Sequence, residues 1–116
     1  RSGNIVMRIT RQLKSMLALL IVMLAIWSGA QGEARSGEDV YDDSCAKCHG
    51  WIGSMIKDAP RTGDTETWKV LQTKGLDELV NSTINGFGEM PAKGKCTECS
   101  DAELKAAVEY ILEESR

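Results

Sequence analysis

Cys45-Ala46-Lys47-Cys48-His49 reads C-x-x-C-H, and the last of these residues is the single histidine of the chain. Thiols three residues apart on a helical turn can reach the two vinyl groups on one side of a porphyrin, and the pattern is the attachment signature of c-type haem. The adjacent imidazole then comes under the iron as an axial ligand. Its second nitrogen needs a backbone acceptor to fix the ring, and Pro60 or a neighbour in the loop that follows is the candidate. C-x-x-C alone would also suit a redox dithiol or half of a zinc site, yet neither requires a histidine in the next position. The expectation is one haem c, bound covalently through Cys45 and Cys48, with His49 on its iron.

The opposite iron ligand must come from few residues. With no second histidine, a methionine thioether is expected, because its softness suits reduced iron and raises the potential. Met7, Met16 and Met23 fall in the N-terminal apolar region, and Met55 is tethered only six residues past His49. Met90 sits in a glycine-rich loop far enough along the chain to approach the opposite face, and Pro91 stiffens that loop directly after it. The alternative for Met90 is a filler of the core. A second pair, Cys96 and Cys99, precedes Ser100 rather than a histidine. In an oxidising compartment the pair suits a structural disulfide restraining the Met90 loop; the alternative is a catalytic dithiol.

Export is itself legible. Arg8, Arg11 and Lys14 lead into an apolar run, Met16 to Trp27, followed by Ser28-Gly29-Ala30. That order is the layout of a cleavable signal peptide, and the run is shorter than the roughly 20 apolar residues of a spanning helix. Residues 1–30 are therefore read as a leader with a short extension ahead of Met7. The cut falls after Ala30, or as late as Ala34 through Gly32-Glu33-Ala34; an uncleaved anchor is the alternative. Residues 31–36 read as a polar linker and 37–116 as the working domain. Beyond Ala30 stand ten basic and seventeen acidic side chains, a balance of −7. No basic stripe remains for nucleic acid, and an acidic exported protein meets partners through their positive patches.

The elements that must hold these residues are helical. Gly37 to Lys47 reads as a first helix with acidic residues in its opening turns. Gly50 to Thr62 has no clean period and reads as a loop. Asp64 caps a helix over Thr65 to Lys74, and Leu76 to Ile84 carries Leu76, Leu79, Val80 and Ile84 at helical spacing. Gly86 to Lys95 is loop. Ser100 and Glu103 form a capping box ahead of a helix with Leu104, Ala107, Val108, Ile111 and Leu112 on one face. No alternating pattern suggests a strand, so the expected class is all-α, and a core from roughly 80 residues is small enough to need a staple.

With these residues in view, Gly37 to Leu112 resembles class I cytochrome c, in its cytochrome c5 branch. The resemblance rests on G-x-x-x-Y before C-A-K-C-H, on A-P-R-T-G-D-x-x-x-W from Ala59 to Trp68, on G-F-G-E-M-P-A-K-G-K-C-x-x-C-S-D from Gly86 to Asp101, and on A-A-V-E-Y from Ala106 to Tyr110. It implies first and last helices crossing near a right angle while short helices wrap one haem. Gly37 and Tyr41 would meet Tyr110 there, Pro60 would accept the His49 ring proton, and Trp68 would lie near the propionates. Met90 would be the axial ligand and Cys96–Cys99 the extra disulfide of the branch. Two places depart from it: the stretch from Gly50 to Asp58 is longer and more apolar, and Leu71 stands where relatives often carry arginine. Trp51, Ile52 and Ile56 in that stretch would cover haem or form a docking patch at its edge.

The expected function is a periplasmic, non-enzymatic electron carrier of a respiratory chain. It would shuttle between a donor complex and a terminal oxidase or reductase by transient electrostatic docking, touching a membrane only peripherally or through a retained leader. The rivals are a gas-binding haem sensor, a small peroxidase, which lacks a distal histidine, and a haem-free dithiol protein.

Overall fold

The structure is a computed structural model that describes residues 2–27 and 32–116, with side chains placed for 2–23 and 32–116. It divides into two units, Arg1–Glu33 and Ala34–Arg116. The first holds helix α1, Ser2–Trp27, whose placed side chains are exposed. Among the described residues no helix is long and apolar enough to cross a membrane. The expected cut at Ser28-Gly29-Ala30 lies outside the described residues.

The second unit is a set of short helices and turns, with no strand among the described residues. Its first helical run begins at α2, Gly37–Val40, where the Ser36 hydroxyl accepts from the Asp39 amide at 3.1 Å and the acidic first turn suits the helix dipole. The run widens into a π-helical segment, Tyr41–Cys45, and closes as α3, Ala46–His49. Such widenings collect at functional sites, and this one delivers Cys45, Cys48 and His49. The run extends past the expected end at Lys47 because its breaker is Gly50, whose extended backbone (ψ 174°) stops it only after the histidine.

A further helix, α4, Trp51–Lys57, occupies what reads in the sequence as loop. Gly53 within it is a packing residue: a Cβ at this position would run into the Lys47 carbonyl. Asp58, in the left-handed region at φ 53°, ends the helix. Next come α5, Thr65–Leu71, capped by Asp64, and a tight turn over Gln72–Lys74 that ends at Gly75. Then follow α6, Leu76–Asn85, and a 3-10 turn, Ala92–Lys95. The final helix is α7, Asp101–Glu114, with the Ser100–Glu103 capping box in place.

The core forms where α2 packs across α7. A Cβ on Gly37 would meet the Ala106 carbonyl, so only glycine permits this approach. Val40, Leu104 and Ala107 are buried there with the half-cystines Cys96 and Cys99. Beside them Tyr41, Trp68 and Ile111 form a second cluster with Leu71 packed against it, and the Tyr41 and Tyr110 rings lie 5.2 Å apart. Each fully buried aliphatic side chain contributes about 1.5–3 kcal/mol.

Candidate haem site

The imidazole of His49 is the most constrained side chain of the motif. Its Nδ1 lies 2.8 Å from the Pro60 carbonyl, which leaves Nε2 as the nitrogen that could bind a metal. Three consecutive residues build this clamp from their backbones. The Pro60 carbonyl takes the ring, the Arg61 carbonyl accepts the Trp68 indole N–H at 2.8 Å, and the Thr62 amide donates to the His49 carbonyl at 2.8 Å. The next residue, Gly63, donates its amide to the buried Ser115 hydroxyl at 2.9 Å, tying the loop to the end of α7. Trp68 is thus buried beside His49, ring centroids 6.4 Å apart, with its polar hydrogen given to the loop.

Cys45 and Cys48 are free and half-buried. Burial first, and then the neighbouring Cys48, push the Cys45 thiol above its usual value. A nucleophilic redox dithiol needs the opposite shift. Cys96 and Cys99 are joined as a disulfide, with Cα atoms 5.4 Å apart, so a four-cysteine zinc centre would be left with only the thiols of Cys45 and Cys48.

Met90 is half-buried in a turn closed by two backbone bonds, Met90 N–H to Phe87 O at 2.9 Å and Phe87 N–H to Met90 O at 3.1 Å. Gly86 precedes it at φ 85°, where a Cβ would press on the Met90 carbonyl. After it, Pro91 O accepts from the Gly94 amide at 3.0 Å, and Lys93 Nζ reaches Cys99 O at 2.8 Å. Met55 is instead an exposed residue of α4.

The chain's own surroundings suit a large apolar group. Helix α6 carries an apolar stripe of Leu76, Leu79, Val80 and Ile84, yet none of its residues is buried. Phe87 beside Met90 is 65 % exposed, with the Lys74 ammonium 5.0 Å over its ring. Trp51, Ile52, Met55 and Ile56 line one exposed face of α4, and the Arg61 guanidinium stacks 4.7 Å over Trp51. Free thiols three residues apart, a histidine with one nitrogen held, a thioether in a braced turn and uncovered apolar residues together fit haem c.

Two contributors leave no mark in the sequence. Ser115 looks like a polar terminal residue. Arg35 sits in the stretch expected to be linker, but its guanidinium packs on the disulfide, 3.1 Å from Cys99 Sγ and 3.7 Å from Cys96 Sγ.

Comparison with known proteins agrees. Residues 32–111 match the family model described as cytochrome c oxidase, cbb3-type, subunit III. Cytochrome c5 of Azotobacter vinelandii is 44% identical over 79 residues, 66% of this chain and 92% of the relative. Cytochrome c5 of Ectopseudomonas mendocina is 39% identical over 86 residues, 72% of this chain and 95% of the relative. Among solved structures, the crystal structure of an electron transfer complex of nitrite reductase with cytochrome c contains a chain that aligns with a TM-score of 0.64 at 32% identity, over 72% of this chain and all of that one. A mono-haem ferrocytochrome c from Shewanella putrefaciens aligns at 0.56 and 33% identity, over 73% of this chain and all of that one.

Proposed function

The chain belongs to the c-type cytochromes, as a class I monohaem member of the cytochrome c5 kind, and on that premise we propose that it is an exported, periplasmic one-electron carrier with its iron held between His49 and Met90. Members of this family carry electrons on haem c and are not enzymes. Cys45 and Cys48 would hold the haem through thioether links, and His49 Nε2 and Met90 Sδ would bind its iron. Haem, when bound, supplies a one-electron ferric/ferrous couple.

The work of the chain is to keep both ligands still, so that little rearranges when the charge changes. The observation that carries the reading is the clamp on His49, which fixes ring and main chain together through Pro60 and Thr62. Trp68 acts through that clamp by holding the Arg61 carbonyl. The disulfide at Cys96 and Cys99 closes the segment behind Met90. The exposed apolar residues of α4, Trp51, Ile52 and Ile56, would cover the haem or meet a redox partner at its edge.

Residues 1–30 act as the leader, removed after Ala30 or as late as Ala34. The domain that remains carries the −7 balance, which steers it towards positively charged surfaces of a redox donor and a terminal oxidase or reductase. The nitrite reductase complex of the related cytochrome supports docking of this transient kind.

The test is expression in a host that exports the chain and attaches haem. The mature protein should gain the mass of one haem, keep it through acid–acetone extraction, and titrate as a one-electron couple. Haem that washes out of the acid-denatured chain, or a colourless mature chain, would overturn the reading.

A further inference from the structure

Arg35 bridges the helical run that ends at His49, the disulfide and α7. Its backbone N–H and its Nε–H both donate to Glu103 Oε1 at 3.1 Å. Nη1 lies 3.6 Å from Asp43, two residues before Cys45, and Nη2 lies 3.1 Å from Cys99 Sγ. Both half-cystines are buried, Cys96 at 2% and Cys99 at 1% exposure, whereas the Arg35 side chain over them is one-third exposed, at 33%. From the other end of the same loop, Lys93 Nζ holds the Cys99 carbonyl at 2.8 Å. Glu103 divides its oxygens, Oε2 taking the Ser100 amide at 2.9 Å in the capping box and Oε1 taking Arg35. The Ser100 amide first, then the Arg35 guanidinium, hold that carboxyl down at about 2. The guanidinium is therefore fixed in place by a charge ionised at any ordinary pH.

We propose that Arg35 is a positioning residue for the iron-ligand loop: its guanidinium, seated on the Cys96–Cys99 disulfide and pinned by Glu103, holds closed the segment that presents Met90. The inference rests on the reading of Met90 as ligand. Without Arg35 the disulfide loses its polar cover and the loop its bridge to Asp43 and Glu103. Met90 then leaves iron more readily, and a competing ligand takes its place.

The test uses the haem-loaded protein and imidazole as the competing ligand. The variants are R35Q, E103Q and R35Q in a C96S/C99S background; the E103Q side-chain amide keeps the capping box while removing the charge that pins Arg35. R35Q should bind imidazole about tenfold more tightly than wild type, within the range for residues joined in one hydrogen-bond and salt-bridge network. E103Q should shift affinity in the same direction by less. Dithiothreitol, followed by thiol alkylation, should reduce the disulfide faster in R35Q than in wild type. In the C96S/C99S background R35Q should change imidazole affinity by less than about twofold, since the arginine acts through the disulfide. An unchanged affinity in R35Q, or an equal shift with and without the disulfide, overturns the proposal. The weak near-red band of an iron–thioether bond reads the premise separately. If wild type lacks it, the role at Met90 falls, and equal dithiothreitol rates in wild type and R35Q would also refute the seat on the disulfide.

Discussion

Replacing Trp68 by phenylalanine probes the clamp on His49 without touching a ligand. The indole is buried, at 6% exposure, and its N–H is the donor to the Arg61 carbonyl at 2.8 Å. Phenylalanine keeps the six-membered ring and removes that donor, leaving a half-buried carbonyl without its partner at a cost of about 1–2 kcal/mol. It also removes the pyrrole part of the indole, on the order of 40 Å² of apolar contact, or about 1 kcal/mol. The sum is about 2–3 kcal/mol, a large share of the roughly 5–15 kcal/mol typical of such domains. Urea unfolding of the haem-loaded protein, followed by far-ultraviolet circular dichroism, should show the midpoint falling at constant slope. A loss below about 0.5 kcal/mol would refute the reasoning, because it would mean that Arg61 O is equally well served by water.

Gly37→Ala should be more damaging than its size suggests, because the new methyl meets the Ala106 carbonyl and must part α2 from α7; a loss of about 2–3 kcal/mol in the same unfolding assay is expected. Ser115→Ala removes the acceptor of the Gly63 amide at 2.9 Å, and should cost about 1–2 kcal/mol by thermal unfolding. Glu103 sets a pH window. Its carboxyl lies at about 2 when folded, against an ordinary 4.5, so the unfolded chain binds the proton first as acid is added. The stabilisation is complete above the ordinary value and drains away as pH falls towards 2, so E103Q should flatten the acid side of the stability–pH curve and leave neutral pH dependence unchanged.

The haem motif was readable because its chemistry is local: five consecutive residues carry two thiols and an imidazole at fixed spacing. The caps were readable for the same reason, since Asp64 and the Ser100–Glu103 box act within three residues. Helix α4 was not, because it buries no residue against the protein, so its apolar positions answer to no core. Glycine at position 53 signals a break in a sequence, while its use here is close packing on Lys47. Arg35 shows the limit most plainly. Its partners on the disulfide and α7 lie 61 to 68 residues away along the chain, and nothing in a short polar stretch marks an arginine that will seat on a disulfide. Pro60 could be named from the sequence as the candidate acceptor for His49, whereas the accompanying bonds from Thr62 and to Arg61 depend on the folded turn.

If His49 and Met90 share the iron, the near-red absorption of the oxidised protein carries the signature of that bond. Wild type and Met55→Ala should both show the weak iron–thioether band, and Met90→Ala should lose it while keeping its covalent haem. A band that survives in Met90→Ala, or that disappears in Met55→Ala, would contradict the account.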